Sequence, residues 1–157
     1  MKPSVYLETT ITSYLAANLS RDIVVAAHQQ ITQEWWVNIR PKLNCYISPF
    51  VIQESQRGDD DASKRRIKLL TGVSVLEVNN EIEKIAEVYF DRFKIPSKAK
   101  LDAAHLAVAC YYKMDYLLSW NCKHIVSARI RKELGLINRD LGLFTPTICT
   151  PEELMEI

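Results

Sequence analysis

The sequence predicts an α/β fold in which helices cover a mostly parallel sheet. Three observations lead there. Short apolar runs recur along the chain, and between them lie longer segments whose apolar residues fall three and four apart. The 157 residues suffice for one domain, 1–157, and exclude a second of ordinary size. Strands that alternate with helices pair in parallel through right-handed crossovers.

Val5 to Leu7 is the first strand, bounded by Pro3 and by Glu8-Thr9-Thr10, with Thr10 the expected cap of a short helix around Ile11 to Ala17. Val24, His28, Ile31, Trp35 and Ile39 mark a long amphipathic helix that Pro41 stops. Leu43 to Ile47 is a second strand, and Ser48-Pro49 opens a short helix that carries Glu54 and closes near Gly58. Asp59-Asp60-Asp61 ahead of Lys64-Arg65-Arg66 and Lys68 orders acids and bases as a helix dipole favours, with Gly72 at its end. Val73 to Val78 is a third strand. Asn80 and Glu83 then cap a helix striped by Ile82, Ile85, Ala86, Tyr89 and Phe93. Past Pro96, LDAAHLAVACYY forms a helix with one buried face and Asp102 in its first turn. Tyr116 to Ser119 is a fourth strand, and the helix after Asn121, marked by Val126, Ile130 and Leu134, stops at Gly135. Thr147 to Cys149 is the last strand, and Thr150-Pro151-Glu152-Glu153 starts a final helical turn.

Composition removes several function classes. Twenty Lys+Arg against nineteen Asp+Glu leave a net charge of +1, so any polyanion must meet a local patch rather than a global field. None of the four glycines falls in a phosphate-cradling motif. Cys45, Cys110, Cys122 and Cys149 show neither zinc nor disulfide spacing and read as free thiols of a reducing compartment. The amino terminus lacks the apolar core of a signal peptide, and no segment approaches the ~20 apolar residues of a membrane span. A cytoplasmic protein without membrane association is expected.

In an open parallel sheet, ligands bind beyond the carboxyl ends of the strands. Glu8 follows the first strand, Glu54 lies in the helix after the second, Asp102 opens the helix that feeds the fourth, and Asn121 follows that fourth strand. Carboxylates within ~4 Å repel by about 4 kcal/mol per pair at an effective dielectric of 20. Either one takes up a proton or a divalent cation neutralises the group. With Glu8, Asp102 and Glu54 as oxygen ligands, the cation is Mg²⁺ or Mn²⁺ rather than zinc. Such an ion activates water and stabilises charge in phosphodiester cleavage. Each residue also has an ordinary structural reading. Glu8 and Asp102 suit the first turn of a helix, Asn121 suits an N-cap, and Glu54 suits a solvated helix face.

His105, on the apolar stripe three residues after Asp102, reads as a core histidine with one hydrogen-bond partner. His28 reads likewise, and His124 as a surface residue. Lys64, Arg65, Arg66 and Lys68 are either a solvated helix face or contacts for a nucleic-acid backbone. Trp35 and Trp36 cannot both face one core, which leaves one for partial exposure or a subunit interface.

Taken together, VYLETT, SPFVIQE, LDAAHLAVA, DYLLSWNCKHI and TPEEL resemble the PIN-domain ribonucleases, and within them the VapC-type toxins of toxin-antitoxin modules. The resemblance spans almost the whole chain. It implies a three-layer α/β/α sandwich with a central, mostly parallel sheet of about five strands. It also implies a Mg²⁺- or Mn²⁺-dependent endoribonuclease, a homodimer, and inhibition by a small antitoxin. By the same resemblance Glu8 stands where the family usually has an aspartate, Glu54 and Asp102 match its second and third acids, and Thr10 and Ser119 match hydroxyl positions beside them. Asn121 takes the place of a fourth aspartate, which implies a single well-occupied ion.

Two functions from different classes follow. The first is hydrolysis of RNA phosphodiester bonds by a metal-activated water, with Glu8, Glu54, Asp102 and Asn121 as the catalytic set. The second is a catalytically weakened or inactive PIN-like module that binds RNA or a partner protein. A phospho-acceptor or phosphatase domain fits less well, because the D-x-D-x-T motif is absent.

Overall fold

The computed structural model describes all 157 residues. One five-stranded sheet runs through the molecule, built from β1 (Ser4–Leu7), β2 (Asn44–Ile47), β3 (Ser74–Val75), β4 (Tyr116–Leu118) and β5 (Thr147–Cys149). Seven helices cover it: α1 (Thr9–Ala16), α2 (Ile23–Asn38), α3 (Pro49–Ser55), α4 (Asp60–Leu69), α5 (Asn80–Arg92), α6 (Lys100–Tyr111) and α7 (Ala128–Leu141). This is the three-layer α/β/α sandwich expected from the sequence. No helix is long and apolar enough to cross a membrane.

All four strand pairings are parallel, in the order β3-β2-β1-β4-β5. The chain first builds outward from β1 to β3, then returns to place β4 on the other side of β1. The order therefore reverses between β1 and β4, the switch point at which open parallel sheets carry their ligand sites. The two strands that flank this point lie at the centre of the core. Val5, Tyr6, Leu7, Leu117 and Leu118 are wholly buried, the unbroken apolar run of a strand covered on both faces.

Several elements depart from the sequence expectation. Helix α1 is capped by Glu8 rather than Thr10, since the Glu8 side chain accepts the Thr10 N–H. Helix α5 is capped by Asn79, one residue earlier than expected. Strand β3 shrinks to two exposed residues at the sheet edge, while Val73, Leu76 and Val78 pack on the core from outside the ladder. Helix α6 is buried on all sides from Asp102 to Cys110, not on one face, because it fills the space between α5 and the sheet. On α2 the buried residues are Gln29, Thr32 and Trp35, whereas Val24 of the expected stripe is exposed. Trp35 is thus the core tryptophan, and half-buried Trp36 carries the Arg40 guanidinium 4.4 Å from its ring centroid.

The largest difference is in α7, which begins at Ala128 under a Ser127 cap and runs past Gly135 to Leu141. Its buried residues Ile130, Leu134 and Ile137 keep helical spacing across the glycine, and packing outweighs the ~1 kcal/mol glycine costs in a helix interior. The helix ends at Gly142, whose φ of 69° is left-handed, while Leu143 N–H donates to the Asn138 carbonyl. A methyl group meets nothing within 4 Å at either glycine, so only the backbone decides the outcome. Gly135→Ala should stabilise the protein by about 1 kcal/mol and Gly142→Ala destabilise it by about the same amount, measured by urea unfolding.

Candidate functional site

The residues that follow β1, β2 and β4 meet at the carboxyl edge of the sheet, next to the switch point. Glu8 leaves β1 with its N–H bonded to the Leu118 carbonyl of β4 at 3.1 Å, so its side chain starts at the switch point itself. It is 3% exposed. Its Oε1 accepts three hydrogen bonds, from Thr10 N–H (3.2 Å), Thr10 Oγ1 (2.6 Å) and Ser119 Oγ (2.6 Å), while Oε2 accepts none. One carboxylate oxygen is thereby clamped and the other left available. Thr10 Oγ1 also accepts the Trp120 N–H at 2.8 Å, and Ser119 Oγ accepts the Asn121 N–H at 2.9 Å. The two strand ends are laced together through hydroxyl groups.

Glu54, on α3, repeats the arrangement. Its Oε1 accepts from Thr9 Oγ1 at 2.7 Å and lies 2.5 Å from His105 Nε2, while its Oε2 accepts no hydrogen bond. The other ring nitrogen of His105 lies 2.6 Å from the Tyr6 hydroxyl, which in turn bonds Ser48 Oγ at 2.7 Å. A continuous chain of polar groups runs from Ser48 at the cap of α3 through Tyr6 and His105 to Glu54 and Thr9. His105, Tyr6 and Ser48 are completely buried. Buried polar groups need partners of this kind to offset their desolvation.

Glu8, Glu54 and His105 each present a ligand-type atom within 4.8 Å of the others, and no trio that includes Asp102 is equally close. Both nitrogens of His105 are engaged in hydrogen bonds, so neither offers a free lone pair to a cation. Burial alone would lower its pKa, but the hydrogen bond to Glu54 and the charges of Glu8, Glu54 and Asp102 raise it above the ordinary value. The same exchange appears at Glu54: burial acts upward, but the hydrogen bond and charge of His105, with Thr9, hold the carboxyl below its usual range. Glu8 and Asp102 are both raised, chiefly by burial. Asp102 is moderated by the Asn121 amide and by the charges of His105 and His124, and it also feels Glu54. It therefore belongs to the same electrostatic group.

The Asn121 side-chain oxygen accepts from Lys123 N–H (3.2 Å) and His124 N–H (3.1 Å), capping the turn that follows β4 rather than helix α7. What it offers Asp102 is the amide nitrogen. The site thus gathers Glu8, Glu54, Asp102 and Asn121 at one edge of the sheet and adds His105, Tyr6, Ser48 and Thr9. His105 is a core residue as expected, but with two polar partners instead of one, and it faces the acids. The signal was present in the Asp102-x-x-His105 spacing, which puts both side chains on one side of a helix. Tyr6, Ser48 and Thr9 left no such signal.

The free oxygens of Glu8 and Glu54, with Asp102 beside them, form a hard, anionic donor set suited to Mg²⁺ or Mn²⁺ and poorly suited to softer metals. No sulfur or free imidazole nitrogen competes. The chemistry of the donors therefore fits a divalent cation.

No protein-family model matches the chain, and no curated protein matches it. Solved structures do. The chain is similar to Mycobacterium tuberculosis VapC20, a sarcin-ricin loop cleaving toxin, with a TM-score of 0.57 and 18% identity over 72% of this chain and 86% of that one. It is also similar to VapBC2 from Rickettsia felis, solved bound to a DNA fragment from their promoter. That match has a TM-score of 0.58 and 10% identity, covering 94% of this chain and 98% of that one. The chain has the VapC-like PIN-domain fold.

Proposed function

We propose that this PIN-fold chain is a divalent-cation-dependent endoribonuclease of the toxin class, acting as one domain on cytoplasmic RNA and restrained by a small antitoxin. The observation that carries the reading is the pairing of clamped and free oxygens on Glu8 and Glu54 at the switch point, with Asp102 alongside. Glu8, Glu54 and Asp102 would hold Mg²⁺ or Mn²⁺. When bound, such a cation neutralises the acids and supplies activated water and charge stabilisation for cleavage at phosphorus.

The chain's own residues do the positioning. Thr10 and Ser119 fix the Glu8 carboxylate, and Thr9 with His105 fixes that of Glu54. Buried His105, whose protonation is favoured by its hydrogen bond to Glu54 and by the charges of Glu8 and Asp102, offsets part of the repulsion among the acids. The Asn121 amide favours the charged form of Asp102. Structural likeness to a toxin that cleaves the sarcin-ricin loop supports RNA as substrate, and likeness to VapBC2 supports a protein partner. Exposed Leu19 ahead of α2, Ile23 and Val24 in its first turn, and Val37 near its end give apolar surface for that partner or for a second copy in a homodimer.

One observation favours a second reading, a PIN-like module that binds RNA or protein without cutting. Asn121 contributes no charge, and its oxygen is engaged in the turn. The two readings separate on one experiment: a panel of RNAs with single-stranded loops, incubated with Mn²⁺ and either wild type or Asp102→Asn. Cleavage by wild type alone is expected. Equal inertness of both proteins, folded by circular dichroism and across the whole panel, would reject the nuclease.

A further inference from the structure

We propose that the cleft between α1, α2 and α4 binds the phosphodiester backbone of the RNA strand held at the acidic pocket, an inference that rests on the nuclease reading above. The cleft has a volume of about 470 Å³, and Arg40, Arg65, Lys68, Trp36, Leu15 and Thr71 contribute to its walls. Three cations and no acid line it. None of the three joins a salt bridge. In a protein of net charge +1 this is a local concentration of uncompensated positive charge.

Two of the cations are held in place by main-chain carbonyls. Arg65 Nε donates to the Ala16 carbonyl at the end of α1 (2.9 Å), and Arg40 Nε donates to the Trp36 carbonyl (3.3 Å). Neither uses its terminal guanidinium nitrogens in a hydrogen bond, so both forks remain free for an anion. Arg66, by contrast, turns inward to the Ser55 and Arg57 carbonyls. The basic run of α4 is therefore not a uniform solvated face. Within it Arg66 is structural, while Arg65 and Lys68 line the cleft.

Position and chemistry select the occupant. Glu8 caps the start of α1 and Arg65 binds its end, and the eight residues between span about 12 Å. A short run of single-stranded RNA covers that distance. Planar guanidinium forks match phosphate oxygens, and Arg40 is further steadied by its stacking on Trp36, 4.4 Å from the ring centroid. An acidic segment of a partner protein would use the same charges but has no reason to lie along α1 toward Glu8, and the test separates the two.

The test measures binding apart from cleavage, using a fluorescein-labelled single-stranded 2′-O-methyl oligonucleotide without metal, titrated at several salt concentrations. Arg40→Gln/Lys68→Gln should weaken binding about tenfold near physiological salt and reduce the slope of log K against log[salt] by about 0.7 for each cation removed. Lys132→Gln, an exposed cation on α7, should change neither. In Mn²⁺-dependent cleavage the double variant should raise KM and leave kcat unaltered. An unchanged slope in the double variant, or an equal loss in Lys132→Gln, overturns the cleft. So does a labelled poly-glutamate peptide that loses binding in the double variant while the oligonucleotide does not, an outcome that assigns the cleft to an acidic protein segment. Cleavage by wild type is read separately, so an inert protein that still shows the slope change removes the nuclease and keeps the cleft. Thermal melts that coincide with wild type establish that the variants are folded.

Discussion

Glu8→Gln should slow Mn²⁺-dependent RNA cleavage by about 10³-fold or more while leaving the fold intact. The substitution preserves shape and keeps an oxygen able to accept from Thr10 and Ser119. It removes the negative charge at the one position where the ends of β1 and β4 converge. A loss of 10³ corresponds to about 4 kcal/mol of transition-state stabilisation, within the several kcal/mol a bound cation contributes. Calorimetry with Mn²⁺ supplies the independent readout: affinity should fall in parallel, with normal RNA binding in the absence of metal. Retention of more than a tenth of the wild-type rate would show that Glu8 is a helix cap and nothing more.

His105→Ala should destabilise the metal-free protein by about 3 kcal/mol, because it leaves Glu54 and Tyr6 without their shared partner in a buried setting. Partial access of water to Glu54 keeps the loss below that of a fully enclosed ion pair. The same residue sets the pH dependence. A histidine whose folded pKa is raised contributes stability that is fully present below the unfolded value of about 6.5 and disappears as pH rises through the folded pKa. Glu8 and Asp102, raised by burial, act in the same direction, since their ionisation is disfavoured in the folded state. Glu54 opposes them: its lowered pKa gives stability that is present above the unfolded value and lost as pH falls through the folded one. Thermal melts without metal should therefore show a maximum in mild acid and a decline on the alkaline side. His105→Gln should flatten that decline. A wild-type melting temperature that climbs steadily from pH 6 to about 9 would contradict this account.

The acids were legible in the sequence because each sits next to an interruption that the sequence also reveals. Glu8 ends an apolar run, Glu54 follows Ser48-Pro49, and Asp102 follows Pro96. The parallel sheet was legible for the same reason. The polar chain that fixes the acids was not, since Tyr6 meets Ser48 across 42 residues and His105 across 99, and such pairings leave no local pattern. Tyr6 looks like any strand aromatic until its hydroxyl is placed. The misjudged end of α7 has a different cause: Gly135 and Gly142 are both plausible stops, and only packing of Ile137 shows that the helix continues. The short β3 reflects edge position, where Val73, Leu76 and Val78 find burial without a ladder.

The reversal of strand order has a consequence for how the protein is made. Because β4 enters the slot beside β1 only after more than a hundred intervening residues, the ribosome releases the first strand long before its neighbour exists. Until Tyr116–Leu118 emerges, β1 offers a bare backbone edge, a hazard for mispairing. Over the same interval Glu8 has no Ser119 to hold it, so the nascent chain lacks one of the clamps on that carboxylate. Synthesis order thereby delays assembly of the Glu8 clamp until Ser119 has emerged.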